Sequence, residues 1–169
     1  MLRSTIGDAG KGALMEYGIY KLIHVVAVVL FLGNITTGVF WVRHAMPRQD
    51  PALLAHAMDG VIRSDRWFTM PGVFVIIAGG VAAAMTGSLP LMRTGWIAWG
   101  IAMFALSGIV FSQLAPLQRR IRDYAAGTGG ARPEWATCTA MVRRWEIIGF
   151  LSLAPAWIAL AMMVLKLPR

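Results

Sequence analysis

The stretch Leu22–Val42 reads LIHVVAVVLFLGNITTGVFWV, with no formal charge across 21 residues. A helix rises about 1.5 Å per residue, so roughly 20 apolar residues cross about 30 Å of hydrocarbon. Backbone amides in lipid must bond within their own segment, which makes such a run a helix. Three further stretches lack formal charge: Trp67–Met92, Thr94–Gln118 and Ile147–Leu165. Together they predict an all-α polytopic membrane protein, a single domain over residues 1–169, with four transmembrane helices in an antiparallel bundle. The spans fall at about 20–42, 68–90, 94–117 and 146–166.

Composition agrees. Hydrophobic residues make up 57% of the chain and charged residues 14%, against about 45–50% and about 25% in soluble domains. Mean hydropathy is +0.62. The formal charge of +8 sits in the loops rather than in one clustered footprint. That pattern points to anionic headgroups as its partner and not to nucleic acid. The single cysteine, Cys138, excludes an intrachain disulfide. Residues Met1–Tyr17 carry Asp8, Lys11 and Glu16 and no apolar core, so the first span is expected to direct insertion itself.

The connections alternate. Arg93 is the only charge between spans two and three, whereas the other two connections are long and basic. Arg43, Arg48, Arg63 and Arg66 follow span one, and Arg119, Arg120, Arg122, Arg132, Arg143 and Arg144 follow span three. The opposite side has Arg3, Lys11, Lys21, Arg93, Lys166 and Arg169. The positive-inside rule then places both long loops in the cytoplasm and both termini outside, in a bacterial inner membrane. Trp41, Trp67 and Trp145 fall at inner span ends, and Trp96 and Trp99 near an outer one, as an interfacial aromatic belt requires. Trp157, deep in span four, reads as core packing.

Asp50-Pro51 reads as an N-cap and a first helical position. Leu53, Leu54, Ala57, Met58, Val61 and Ile62 recur at helical spacing, so residues 51–63 are expected to form an amphipathic helix on the inner membrane surface. Ser64 or Asp65 can cap the next helix, and Pro71-Gly72 sits in the first turns of span two. Gly127-Thr128-Gly129-Gly130 is a turn. Before it, Leu117–Ala126 can extend span three. After it, Pro133 can open a helix running into span four, with Trp135, Cys138, Met141, Val142 and Trp145 on one side. Arg143 and Arg144 beside them suit headgroups or a protein partner.

Lipid is as apolar as leucine, so helices in a membrane associate through close packing of small residues. Ala78, Gly79 and Gly80 precede Ala82, Ala83 and Ala84 by four residues, marking span two as the expected central helix. Ser107 and Gly108 offer similar packing in span three. An ionisable group inside a span is a functional candidate, and His24 is the one clearly placed there. At about 100° per residue it shares a face with Ala27, Phe31, Asn34 and Gly38, which points that face into the bundle. His24 reads either as a neutral histidine bonded to a carbonyl or water, as a haem or copper ligand, or as a proton-transfer group. Met85, Met162 and Met163 lie at about its depth and could complete haem b or copper ligation, though methionine also fills awkward cores.

Asp65, Arg66 and Arg63 stand at the inner mouth of span two, and Glu146 at that of span four. A pair from Arg63 or Arg66 to Glu146 would join the helices. Asn34, Thr36 and Thr37 are expected to hydrogen-bond between helices. No P-loop, nucleophile elbow, zinc motif, paired carboxylates or dinucleotide fingerprint is present, so no enzyme activity is expected. Four spans with no buried acid also argue against ion-coupled transport.

The segments YKLIHVVAVVLFLGNITTGVFW, RSDRWFTMPGVFVIIAGG and LAPLQRR resemble a bacterial family of predicted integral membrane proteins, domain of unknown function 2269. The resemblance covers most of Tyr20–Arg120 and implies a four-helix membrane protein with nothing catalytic. Span one is also distantly similar to the CopD copper-resistance group and to HemJ-type protoporphyrinogen oxidases. In the latter a histidine early in the first helix holds haem, and His24 stands at the matching position. The intramembrane lysine those oxidases carry on a later helix has no counterpart here. The expected function is that of a non-catalytic membrane component that assembles with other membrane proteins or with itself. A haem- or copper-binding redox module using His24 is the alternative.

Overall fold

In the computed structural model, which describes residues 2–128, 130 and 132–168 with side chains from residue 12 on, every regular element is helical. The order is α1 (Leu2–Ala45), a short 3₁₀ turn (Met46–Arg48), α2 (Pro51–Ser64), α3 (Met70–Thr86), α4 (Gly95–Phe111), α5 (Leu114–Ala125) and α6 (Trp135–Leu165). Four helical runs are long and apolar enough to cross a membrane: Gly12–Arg48, Pro51–Thr86, Gly95–Ala125 and Trp135–Leu165.

Local chemistry sets the breaks. The Asp50 carboxylate accepts from the Ala52 and Leu53 amides at 2.9 and 3.4 Å, and Pro51 opens α2. Between α4 and α5 the ladder is interrupted at Ser112–Gln113. Pro116 explains it: proline has no N–H to offer the Ser112 carbonyl and its ring crowds that group. Gly127 and Gly130 both take positive φ (69° and 77°) in the turn after α5, while Gly129 of that turn lies outside the described residues.

The four helices pack antiparallel, as two close pairs, α1 with α3 and α4 with α6. In α6 the buried residues are Cys138, Val142, Trp145, Gly149, Ser152, Ala156 and Ala159, alternating four and three apart. Ile97, Gly100, Ser107, Phe111, Leu114, Gln118, Ile121 and Ala125 keep the same phase through α4 and α5, with half-buried Phe104 at the one step of seven. A 3.5-residue period is that of left-handed coiled-coil packing, and it stays in phase across the Ser112 break. In the other pair, Tyr17, His24 and Phe31 stand seven residues apart on α1. They face Gly87, the Gly79/Gly80 step and Gly72 respectively.

Several expectations are corrected here. Span two is not central: α3 packs mainly on α1 and turns Phe74, Ile77 and Met85 outward. Helix α2 does not lie apart on a membrane surface. It runs into α3 through a π-helical turn, Asp65–Thr69, and buries Leu54, Met58 and Val61 within the protein, with α5 and α1 as its main neighbours. The even more strongly amphipathic α5 offers that face a better partner than headgroups do. Neither Ser64 nor Asp65 caps a new helix, because no helix starts there; the Ser64 hydroxyl bonds back to the Val61 carbonyl. Trp145 is 3% exposed and belongs to the core, whereas Trp157 is 50% exposed on the bundle's side. Period decides this: Trp145 lies on the buried seam of α6 and Trp157 does not.

Candidate functional site

A π turn inserts one extra residue into a helix, and such turns frequently coincide with functional sites. Here the turn carries Asp65 and Thr69 on one buried side. The Thr69 hydroxyl donates to Asp65 Oδ1 at 2.8 Å, and the Asn34 amide donates to the same oxygen at 3.2 Å and to Thr69 Oγ1 at 2.9 Å. The Gln118 amide donates to Oδ2 at 2.8 Å. One carboxylate thus ties α1, the α2–α3 run and α5 together. Asp65 is 9% exposed, and Thr69 and Gln118 less so. Among the described residues no cation pairs with it. A buried carboxylate is costly unless its lone pairs are satisfied, and three neutral donors supply that here. The expectation that the chain holds no buried acid is therefore overturned.

Asn34 also lines a half-open cleft of about 930 Å³ between α1 and α2, with Trp41, His44, Arg48, Asp50 and His56. The volume is that of small-ligand pockets, about 300–1,000 Å³.

His24 lies away from this cluster. Its Nδ1 is 2.7 Å from the Ile76 carbonyl, so that nitrogen carries the proton. Its ring sits on Gly80, where an added Cβ would come within 3.0 Å of Nδ1. Its backbone rests on Gly79, where an added Cβ would come within 3.2 Å of the His24 amide nitrogen. Ala27, Phe31 and Gly38 are buried on this side of α1, and Asn34 is half-buried. Met85 is 73% exposed, and the Met163 methyl sits against Gly100 of α4. Met162 is half-buried on α6. Among the described residues no three His, Cys, Asp or Glu side chains gather as metal ligands.

The expected bridge to Glu146 is made by a different arginine. Arg43 Nε stands 2.7 Å from Glu146 Oε1, while Arg63 pairs with Asp59 within α2 and Arg66 is exposed. Arg43 ends α1 beside α6, whereas Arg63 is held by the acid one turn before it. Pro71 is exposed, and Gly72 meets Phe31. Thr36 bonds its own helix at the Leu32 carbonyl rather than a neighbouring one.

A family model described as "Predicted integral membrane protein (DUF2269)" matches residues 18–167. The chain belongs to that family. No curated protein and no solved structure matches it. The matched region of this DUF2269 protein contains the whole Asn34–Asp65–Thr69–Gln118 cluster, the cleft and His24. Sequence reasoning named Asn34 and Asp65 but missed Thr69 and Gln118. Gln118 occupies a seam position in LAPLQRRIRDYA, where its neighbours at three and four residues are Leu114 and Ile121. A polar residue at such a position was the available signal.

Proposed function

We propose that this DUF2269 protein is a non-catalytic component of the bacterial inner membrane that works by holding another membrane protein. Its long basic loops face the cytoplasm and its termini face outward. What supports the reading is a second face of α6. Ala136, Thr139, Ala140, Arg143 and Ile147 follow three- and four-residue spacing on the side away from the buried seam, where α6 leaves an exposed, unpartnered face. The spacing suits a further helix, and its small residues allow close approach. Arg143 and Arg144 on this face have no carboxylate partner among the described residues. A second copy would add more arginines, so the occupant that fits is a helix bearing acidic side chains.

Ala140→Cys in a Cys138→Ser background tests this by crosslinking in intact membranes. The expected result is an adduct of one size with another membrane protein, lost when Arg143 and Arg144 are changed to Glu. No adduct, or only a homodimer, overturns the reading. The haem or copper alternative is supported by the residue type of His24 and by Nε2, which has no hydrogen bond among the described residues. A Soret band abolished in His24→Ala would favour it, and a colourless, metal-free preparation would end it.

A further inference from the structure

We propose that Asp65 is a proton-binding site at the long-loop end of the bundle, able to hold its carboxyl charged or neutral without leaving its place between α1, the π turn and α5. The inference does not rest on the α6 face. Asp65 precedes the charge-free run that opens at Trp67 and stands between Arg63 and Arg66, whose exposed side chains mark the headgroup level, outside the hydrocarbon. Its partners carry the inference. A guanidinium can only donate, and would fix the carboxylate in its charged form. Asn34, Thr69 and Gln118 can each donate or accept, because an amide has both N–H groups and a carbonyl oxygen, and a hydroxyl rotates. As they stand, all three serve the ionised carboxylate. When a proton arrives at Oδ2, the Gln118 amide turns over and its carbonyl oxygen accepts the new O–H, while Thr69 and Asn34 keep their bonds to Oδ1. Both protonation states are therefore hydrogen-bonded in one fold.

The ionisable groups on the surrounding elements are engaged elsewhere or exposed. On α1, Arg43 and His44 lie more than two turns beyond Asn34, and Arg43 is bonded to Glu146. On α2, Asp59 pairs with Arg63, and His56 is exposed. On α5, Arg122 pairs with Asp59 and Asp123, while Arg119 and Arg120 are exposed. Arg66 in the turn is exposed, and α3 has no ionisable residue. Burial outweighs the hydrogen bonds from Gln118 and Thr69 and pushes the Asp65 carboxyl above the usual carboxylate range. The route to water is short: Asn34, and Ser64 next to Asp65, line the half-open α1–α2 cleft. The folded chain then binds this proton more tightly than the unfolded chain does. Asp65 therefore adds stability that is fully present below the usual carboxylate range and is lost as pH rises through the raised value.

The test is an infrared titration of the full chain in detergent, which reads a protonated carboxyl directly. One carboxyl should stay protonated after the exposed acids have ionised, and its band should be missing in Asp65→Asn, which keeps the size of the neutral form. Gln118→Met withdraws a donor from the ionised state and should move the titration up by about one pH unit, an about tenfold tighter proton. Asp59→Asn should leave it in place. The thermal unfolding midpoint of the wild-type chain should fall as pH rises through this titration, and the fall should be absent in Asp65→Asn. Should Asp65→Asn fail to fold, the wild-type titration and its displacement in Gln118→Met decide alone. Ionisation of every carboxyl together with the exposed acids would overturn the proposal. So would a late band that survives Asp65→Asn or that Gln118→Met leaves unmoved.

Discussion

Asp65 has two arginine neighbours within two residues, Arg63 and Arg66, and in sequence it looks like part of a solvated charge run. Its burial is decided by the π turn, which re-phases the helix, and by Gln118, which is 53 positions away. Neither is visible in local pattern. Removing the carboxylate should strand three donors, two of them on buried side chains. Asp65→Ala should therefore cost on the order of 2 kcal/mol, read as a lowered unfolding midpoint in detergent. Asp59→Ala, on a partly exposed ion pair with Arg63, should stay within about 0.5 kcal/mol. Equal effects would remove the polar cluster from the account. His24 was more legible. The helical wheel turns it inward, and Gly79 and Gly80 stand out as small residues, but only the fold shows that the glycines make the notch for that histidine.

At the scale of the helix, the two glycine contacts separate by what they touch. A Cβ at Gly79 would press on the backbone of His24 at 3.2 Å, which cannot yield without moving α1. A Cβ at Gly100 would meet the flexible Met163 methyl at 2.7 Å, which can turn aside. Gly79→Ala should therefore lower the unfolding midpoint clearly more than Gly100→Ala, and Val75→Ala, at a 40% exposed position, should change it least. The reverse order in a thermal scan would contradict this packing. The four spans were legible because charge-free length alone marks them. The facing of each helix was not, because lipid-facing positions are as apolar as buried ones and hydropathy offers no contrast. That is why Trp145 and Trp157 exchange roles, and why span two, rich in small residues, packs at one side. Small residues at three- and four-residue spacing were the usable signal, present in α6 from Gly149 to Ala159.

For the whole molecule, the central claim is that four helices lie in lipid, and it makes an unusual demand on the surface. Ile77, Ile109 and Trp157 are 51%, 66% and 50% exposed at mid-helix. In water such a surface would drive aggregation; in a bilayer it meets acyl chains. The direct measurement is labelling of single cysteines by an aqueous maleimide in intact membranes, in a Cys138→Ser background. Cysteines at 77, 109 and 157 should stay unlabelled until the membrane is dissolved and the chain denatured. Those at Arg48 and Ser88, in the long-loop and short-loop connections, should label readily and from opposite sides. Ready labelling at the three mid-helix positions in sealed membranes would contradict the account.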